Sequence, residues 1–194
     1  MRRTLTALTL ALVLSGCTTA PDVSRETSPT PSAPPTASSS PTPEETTAPP
    51  IQELYPVTRV VDGDTFYATV DGESVGVRII GMDTPETVHP TVGVECYGPE
   101  ASAAAKARLT GQSVALIQDP TQGALQANGL RTDYYGRALF YVHLADGTDY
   151  GLEMIQDGLA EEYTYRRQSY QRQTEYQEAE ALAQETGEGQ WGNC

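Results

Sequence analysis

Two clusters of acids bracket a run of strand-forming residues in VVDGDTFYATVDGESVGVRIIGMDTPE, residues 60–86. Asp62 and Asp64 stand at its start, Asp83 and Glu86 at its end, and Arg78 lies between them. TFYATV and ESVGVRIIGM flank Asp71-Gly72, a two-residue hairpin signal, and closing that hairpin brings Asp64 and Asp83 to one end of a sheet. Two facing carboxylates raise each other's pKa unless positive charge lies between them, and a divalent cation supplies it. Oxygen donors alone, with no Cys or His beside them, favour the hard ions Ca²⁺ or Mg²⁺ over zinc. Two carboxylates and waters leave positions open for a substrate phosphate. Glu86, three residues past Asp83, is then a candidate general base for a water. In RTDYYGRALFY, Tyr135 and Arg137 open a later strand, so Arg78 and Arg137 can grip a phosphate from two sides. Singly these signals are weak: Asp-Gly most often makes a turn, and Asp-Thr-Pro-Glu can cap a helix or end a strand.

The elements that must position these groups are legible in outline. YPVTRVV and TFYATV read as strands on either side of Asp62-Gly63-Asp64, and Pro85 stops the ladder after Asp83. HPTVGVECYG reads as loop. PEASAAAKARLTG reads as a helix, with Pro99 in its first turn and Gly111 just past its end. QSVALIQD is a further strand, and PTQGALQANGLRTDYYG a long glycine-punctuated loop. RALFYVHL is a strand, followed by a short helix capped near Gly158. QSYQRQTEYQEAEALAQETG is a polar helix ending by Gly187. The class is α+β, mainly β: about five strands in Greek-key order with three α-helices. That pattern fits a five-stranded OB-fold-like barrel, while periodicity alone also admits an open α+β sheet.

The ordered set VVDGDT, VRIIGMDTPE, ECYGPEAS, RTDYYGRALFYV, DGLAEEY and GQW resembles the thermonuclease family, the staphylococcal-nuclease-like domains, from about Val57 to Trp191. The resemblance implies an OB-like barrel and a Ca²⁺-dependent phosphodiesterase that cleaves DNA and RNA to 3′-phosphorylated products. It implies that Asp64 and Asp83 hold Ca²⁺ through their side chains and Thr84 through its backbone carbonyl, with Asp62 behind them. Glu86 would activate or orient the attacking water. Arg78 and Arg137 would bind the scissile phosphate and stabilise developing charge. Tyr135 would contact a terminal phosphate, and Tyr163, after a one-residue gap, would pack on a base. The expected substrates are DNA and RNA, preferably single-stranded or denatured, and the expected state is a monomer. The family's lysines are missing here: Lys106 is the single lysine.

The rest of the chain is of a different kind. Only 38% of the residues are hydrophobic, so part of the chain is expected to build no core. MRRTLTALTLALVLSGC has two arginines and an apolar run short for a membrane span. Leu14-Ser15-Gly16-Cys17 resembles a bacterial lipobox: residues 1–16 would be a lipoprotein signal peptide and Cys17 would carry lipid, with an ordinary export signal and an incidental cysteine as the other reading. Of the residues from Thr18 to Pro50, 23 are Pro, Ser or Thr. Residues 17–50 therefore read as a lipidated cysteine plus a disordered tether, spanning about 30 Å as coil and about 100 Å as polyproline helix. The catalytic domain is expected over 51–194, on the outer face of a bacterial membrane. Cys96 and Cys194 then form an even pair in an exported chain, which suggests a disulfide.

The charge balance argues the other way. The chain has 12 Lys and Arg against 26 Asp and Glu, and the first fifty residues hold three of the former and four of the latter, so the domain carries a net charge of −13. Nucleic-acid binders are usually basic. A non-catalytic nuclease-like OB-fold module on the cell surface is thus the alternative reading. His89 and His143 are needed by neither.

Overall fold

Strand alternation sets the first half of the fold. In β2 (Thr65–Val70) and β3 (Glu73–Ile79) the register pairs Thr65 with Arg78 and Val70 with Glu73. Asp71 and Gly72, between them, have φ of 50° and 82°, the left-handed pair that a type I′ turn requires. Phe66, Ala68, Val77 and Ile79 fall on the inner face and are buried. Arg78, between the last two, is turned to the opposite face. The structure is a computed structural model that describes residues 53–87, 91 and 93–194, all within one unit, Ala48–Cys194. The expected signal peptide, Cys17, the tether and His89 lie outside the described residues.

β1 (Tyr55–Val60) pairs antiparallel with β2 and with β5 (Ser113–Ile117), and β5 pairs antiparallel with β8 (Ala138–His143). β8 then runs parallel to β3, with Val77 opposite Ala138 and Ile79 opposite Phe140. That last pairing closes β3-β2-β1-β5-β8 into a five-stranded barrel, the expected OB-like architecture, and excludes the open sheet. Val114, Phe140 and Val142 complete its interior. Each such side chain, fully buried, contributes about 1.5–3 kcal/mol. β4 (Met82–Asp83) pairs outside the barrel with β9 (Glu161–Glu162), Asp83 opposite Glu161.

α1 (Gly98–Leu109) forms as its sequence predicts, and its buried Ala101, Ala105 and Leu109 recur every four residues on one face. α2 (Tyr150–Gln156) is capped by Asp149, whose carboxylate accepts from the Leu152 N–H at 2.9 Å. The segment 120–136, expected as loop, contains a small hairpin, β6 (Ala124–Leu125) with β7 (Arg131–Thr132). Side chains fold it: Gln118 accepts from the Arg131 N–H at 2.7 Å and donates to the Gly129 carbonyl at 3.2 Å.

The last long helix, α3 (Gln173–Thr186), starts five residues later than the sequence suggests. Residues before it spend their backbone groups on the 119–122 loop instead. The Gln171 N–H donates to Asp119 Oδ2 at 2.7 Å, and the Ser169 carbonyl accepts from Gln122 at 2.9 Å. A one-turn helix, α4 (Gln190–Asn193), follows α3 and adds to the three expected. Asp119 is fully buried and also accepts from Thr121 N and Oγ1, at 2.8 and 2.7 Å, and from Tyr141 Oη at 2.7 Å. Burial works against its charge, but these hydrogen bonds outweigh burial and hold its pKa below the ordinary aspartate value.

A folded-state pKa below the unfolded one means that Asp119 stabilises fully above about pH 4 and less as pH falls through its lowered pKa. Asp119→Asn is expected to lose about 1–3 kcal/mol in urea unfolding at neutral pH, with the gap from wild type narrowing toward pH 3. A gap independent of pH contradicts this. A second expectation concerns the turn before β2. Asp62 Oδ1 accepts from the Thr65 N–H at 2.8 Å, and the buried Tyr150 hydroxyl donates to the Gly63 carbonyl at 2.7 Å. A Cβ on Gly63 would lie 2.8 Å from Thr84 Oγ1. Gly63→Ala should therefore cost about 1–3 kcal/mol, read from the same urea transition, and an unshifted midpoint contradicts it.

Candidate active site

One guanidinium gathers the acids. Arg78 Nη1 forms an ion pair with Asp64 Oδ2, while Nη2 donates to Asp83 Oδ1 at 2.6 Å and to the Met82 carbonyl at 3.2 Å. Arg78 can do this because the β2–β3 register sets it opposite Thr65, the residue after Asp64, and because Ile79 N–H bonds the Asp64 carbonyl at 3.1 Å. The Arg78 and Asp64 side chains are 12% and 8% exposed, so their attraction is screened little by water, whereas Asp83 is 51% exposed. Thr84 is buried, with its N–H 3.3 Å from Asp64 Oδ2. Burial raises the pKa of Asp62 behind them, with its bond to the Thr65 N–H, Arg78 and Arg137 pulling the other way.

The second arginine joins through a hydroxyl. Thr65 Oγ1 donates to Asp64 Oδ1 at 2.7 Å and accepts from Arg137 Nη1 at 3.2 Å. Arg137 is aimed by Asp133, whose Oδ2 accepts from Nε at 2.8 Å and pairs with Nη2 at 2.7 Å. The other Asp133 oxygen takes the N–H groups of Tyr135 and Arg137, both at 2.9 Å, and so builds the turn that presents them. Arg137 starts the run into β8 at the point where Ala138 meets Val77, so the barrel-closing pairing is also what brings Arg137 beside Arg78.

Both arginines and Asp83 line a cleft of about 610 Å³. Its walls include Tyr135, 79% exposed, and Tyr163, 41% exposed. The Arg137 guanidinium lies 5.5 Å from the Tyr135 ring centre and that of Arg78 lies 6.0 Å from the Tyr163 ring. Tyr163 arrives through the β4–β9 pairing, its N–H bonding the Gly81 carbonyl at 3.0 Å. Tyr134, Tyr165 and Arg166 line the same cleft. Glu86 stands apart from that lining, with its backbone bonded to Glu95. Cys96 and Cys194 are joined as a disulfide, with Cα atoms 6.0 Å apart.

Asp64, Arg78, Asp83, Thr84 and Arg137 are thus brought together, and Tyr135 and Tyr163 face the same cleft. Three positioning residues escape the sequence reading. Thr65 carries a visible signal, following Asp-Gly-Asp directly. Asp133 carries a weaker one, as the acid opening a four-residue turn before Arg137. Tyr150 carries none, since its partner Gly63 is 87 residues away.

Among the described residues no three His, Cys, Asp or Glu side chains form a group able to hold a metal ion. The donor chemistry nonetheless fits a hard cation: two carboxylates converge on one positive group, and the Thr84 carbonyl belongs to the residue that bonds Asp64.

A family model described as "Staphylococcal nuclease homologue" matches residues 76–193. The chain is 39% identical over 146 residues to a thermonuclease of Staphylococcus hyicus, covering 73% of this chain and 78% of that one. It is 43% identical over 108 residues to a thermonuclease of Staphylococcus intermedius, covering 56% of this chain and 58% of the relative. An SPbeta prophage-derived endonuclease of Bacillus subtilis, YokF, is 38% identical over 111 residues, covering 56% of this chain and 34% of its own. Matches of this extent establish that the chain belongs to the staphylococcal nuclease homologue family.

Proposed function

We propose that the chain is a Ca²⁺-dependent nuclease that hydrolyses phosphodiester bonds in DNA and RNA to 3′-phosphorylated products. In the same proposal it acts as a monomer, exported and tethered through lipid on Cys17 to the outer face of a bacterial membrane. The observation that carries the catalytic reading is the convergence of Asp64, Asp83 and two arginines at the edge of a tyrosine-lined cleft. Relatives named thermonuclease and endonuclease support it.

In this reading the side chains of Asp64 and Asp83, with the Thr84 carbonyl, hold Ca²⁺. When bound, that ion supplies Lewis acidity to a phosphate oxygen. Arg78 and Arg137 bind the scissile phosphate and stabilise its growing negative charge, Arg137 with a guanidinium aimed beforehand by Asp133 and Arg78 with one that exchanges its bonds to Asp64 and Asp83 for the phosphate. Glu86 orients a water and takes its proton as the water oxygen bonds to phosphorus. The phosphorus–O5′ bond breaks, O5′ takes up a proton from solvent while Glu86 returns its own to solvent, and the phosphate stays on the 3′ side. Tyr135 sits at the terminal-phosphate side and Tyr163 packs on a base. Exposed rings beside a cleft favour unpaired bases, which stack without opening a duplex.

Glu86→Ser and Arg78→Ala are each expected to lower kcat about 10²–10⁴-fold on denatured DNA with Ca²⁺, and the wild type should lose activity in chelator. Unchanged turnover in both variants contradicts the assigned roles. An absence of Ca²⁺-dependent cleavage at any salt favours the non-catalytic module instead. Binding should also respond weakly to salt. With two arginines as the phosphate ligands, log K against log salt should fall with a slope of about −1.4 on single strands, measured by fluorescence titration of an oligonucleotide. A slope several times steeper shows that other cations carry the affinity.

A further inference from the structure

Glu86 is held by its neighbours. It lies beyond the end of β4, where Pro85 has already broken the ladder. Glu95 then grips its backbone in both directions: the Glu95 N–H donates to the Glu86 carbonyl at 2.9 Å, and Glu95 Oε2 accepts from the Glu86 N–H at 2.9 Å. Gly98, the first residue of α1, seals the other side. Its N–H donates to the Glu95 carbonyl at 3.1 Å, and a Cβ there would lie 2.9 Å from the Glu86 carbonyl oxygen.

The residue after Glu95 ties it down as well. Cys96 is bonded to Cys194, which directly follows α4. The Cys194 N–H donates to the Gln190 carbonyl at 2.9 Å, and the Gln190 N–H donates to the Gly158 carbonyl at 2.9 Å, just past α2. A continuous path therefore runs from the end of α2 through α4, the disulfide and Glu95 to Glu86. The disulfide also sits beside the acids: Asp83, Thr84, Glu95, Cys96 and Cys194 wall one cavity of about 440 Å³. No barrel strand takes part in this path, so the path can open while the barrel stays closed. Glu95, Cys96 and Cys194 are exposed. The two hydrogen bonds to Glu86 thus compete with water, and a dithiol can reach the sulfurs.

We propose that the Cys96–Cys194 disulfide and Glu95 are positioning residues for Glu86, which makes the oxidised chain the active form and lets reduction release Glu86 without unfolding the barrel. The proposal rests on the nuclease reading for the consequence of that release. A misplacement of about 1 Å at a catalytic group costs on the order of 10²-fold in rate.

The test compares the full chain oxidised, the same chain after treatment with a dithiol reagent, and Cys194→Ser. The reagent's two thiols become its internal disulfide, and their two electrons and two protons convert Cys96–Cys194 into two thiols. Amide hydrogen exchange at Glu86 and Glu95 should quicken at least tenfold on reduction, while the Val77 and Val142 amides in the barrel keep their protection. In parallel, kcat per folded molecule should fall about 10- to 100-fold with KM nearly constant, and Cys194→Ser should be slow with or without reagent. Glu95→Ala should reproduce the loss with the disulfide intact, and Glu95→Gln, which keeps an acceptor oxygen, should restore most of it. Unchanged exchange at Glu86 overturns the proposal whatever the activity does. An equal rise at Val77 and Val142 overturns it too, because the disulfide then only stabilises the fold. The expected exchange pattern in a chain with no nuclease activity upholds the clamp and refutes the nuclease reading instead.

Discussion

A carboxylate with 8% of its side chain exposed needs positive charge beside it, and for Asp64 that charge is Arg78. Uncompensated, such a group incurs a desolvation cost of several kcal/mol, and removing one partner of a buried pair typically costs about 3–5 kcal/mol. The surrounding geometry serves this one contact. The hairpin register sets Arg78 opposite Thr65, Tyr150 pins the turn before Asp64, and Gly63 leaves room for Thr84. Asp83, just past the hairpin in β4, meets the same guanidinium from the solvent side. The pair of acids is therefore already gathered around one positive centre before any substrate arrives.

The acidic exterior and the chemistry at the cleft are reconciled by scale. A net charge of −13 over the domain repels nucleic acid at long range, but surface charges beyond a Debye length of about 8 Å at physiological salt are largely screened. Inside that distance the cleft offers two arginines fixed by carboxylates and a wall of tyrosines. Stacking on such rings contributes about 1–3 kcal/mol per base and needs no basic side chain. In the proposed function, affinity thus shifts from counterion release toward aromatic contact, while the arginines keep the part that matters for the transition state.

Much of this was legible in the sequence, for physical reasons that differ by element. The Asp71-Gly72 turn and the alternation around it dictate the hairpin, and with it the meeting of Asp64, Arg78 and Asp83. The alanine helix with Pro99 and Gly111 at its ends is local chemistry and forms as read. The start of α3 was not legible, because Asp119 and Gln122, about fifty residues earlier, capture the backbone that would have extended the helix. The β6–β7 hairpin depends likewise on Gln118 reaching across its own loop. At the site, Thr65 and Asp133 stood next to recognised residues. Their roles became visible only once strand closure set Arg137 beside Arg78.

Calorimetric titration of Ca²⁺ into the chain, with and without a nucleoside 3′,5′-bisphosphate, tests the central claim most directly. One site in the wild type, tightened by the nucleotide and lost in both Asp64→Asn and Asp83→Asn, is the result expected of two carboxylates that share a cation with a phosphate. Binding that survives both substitutions, or that ignores the nucleotide, contradicts it.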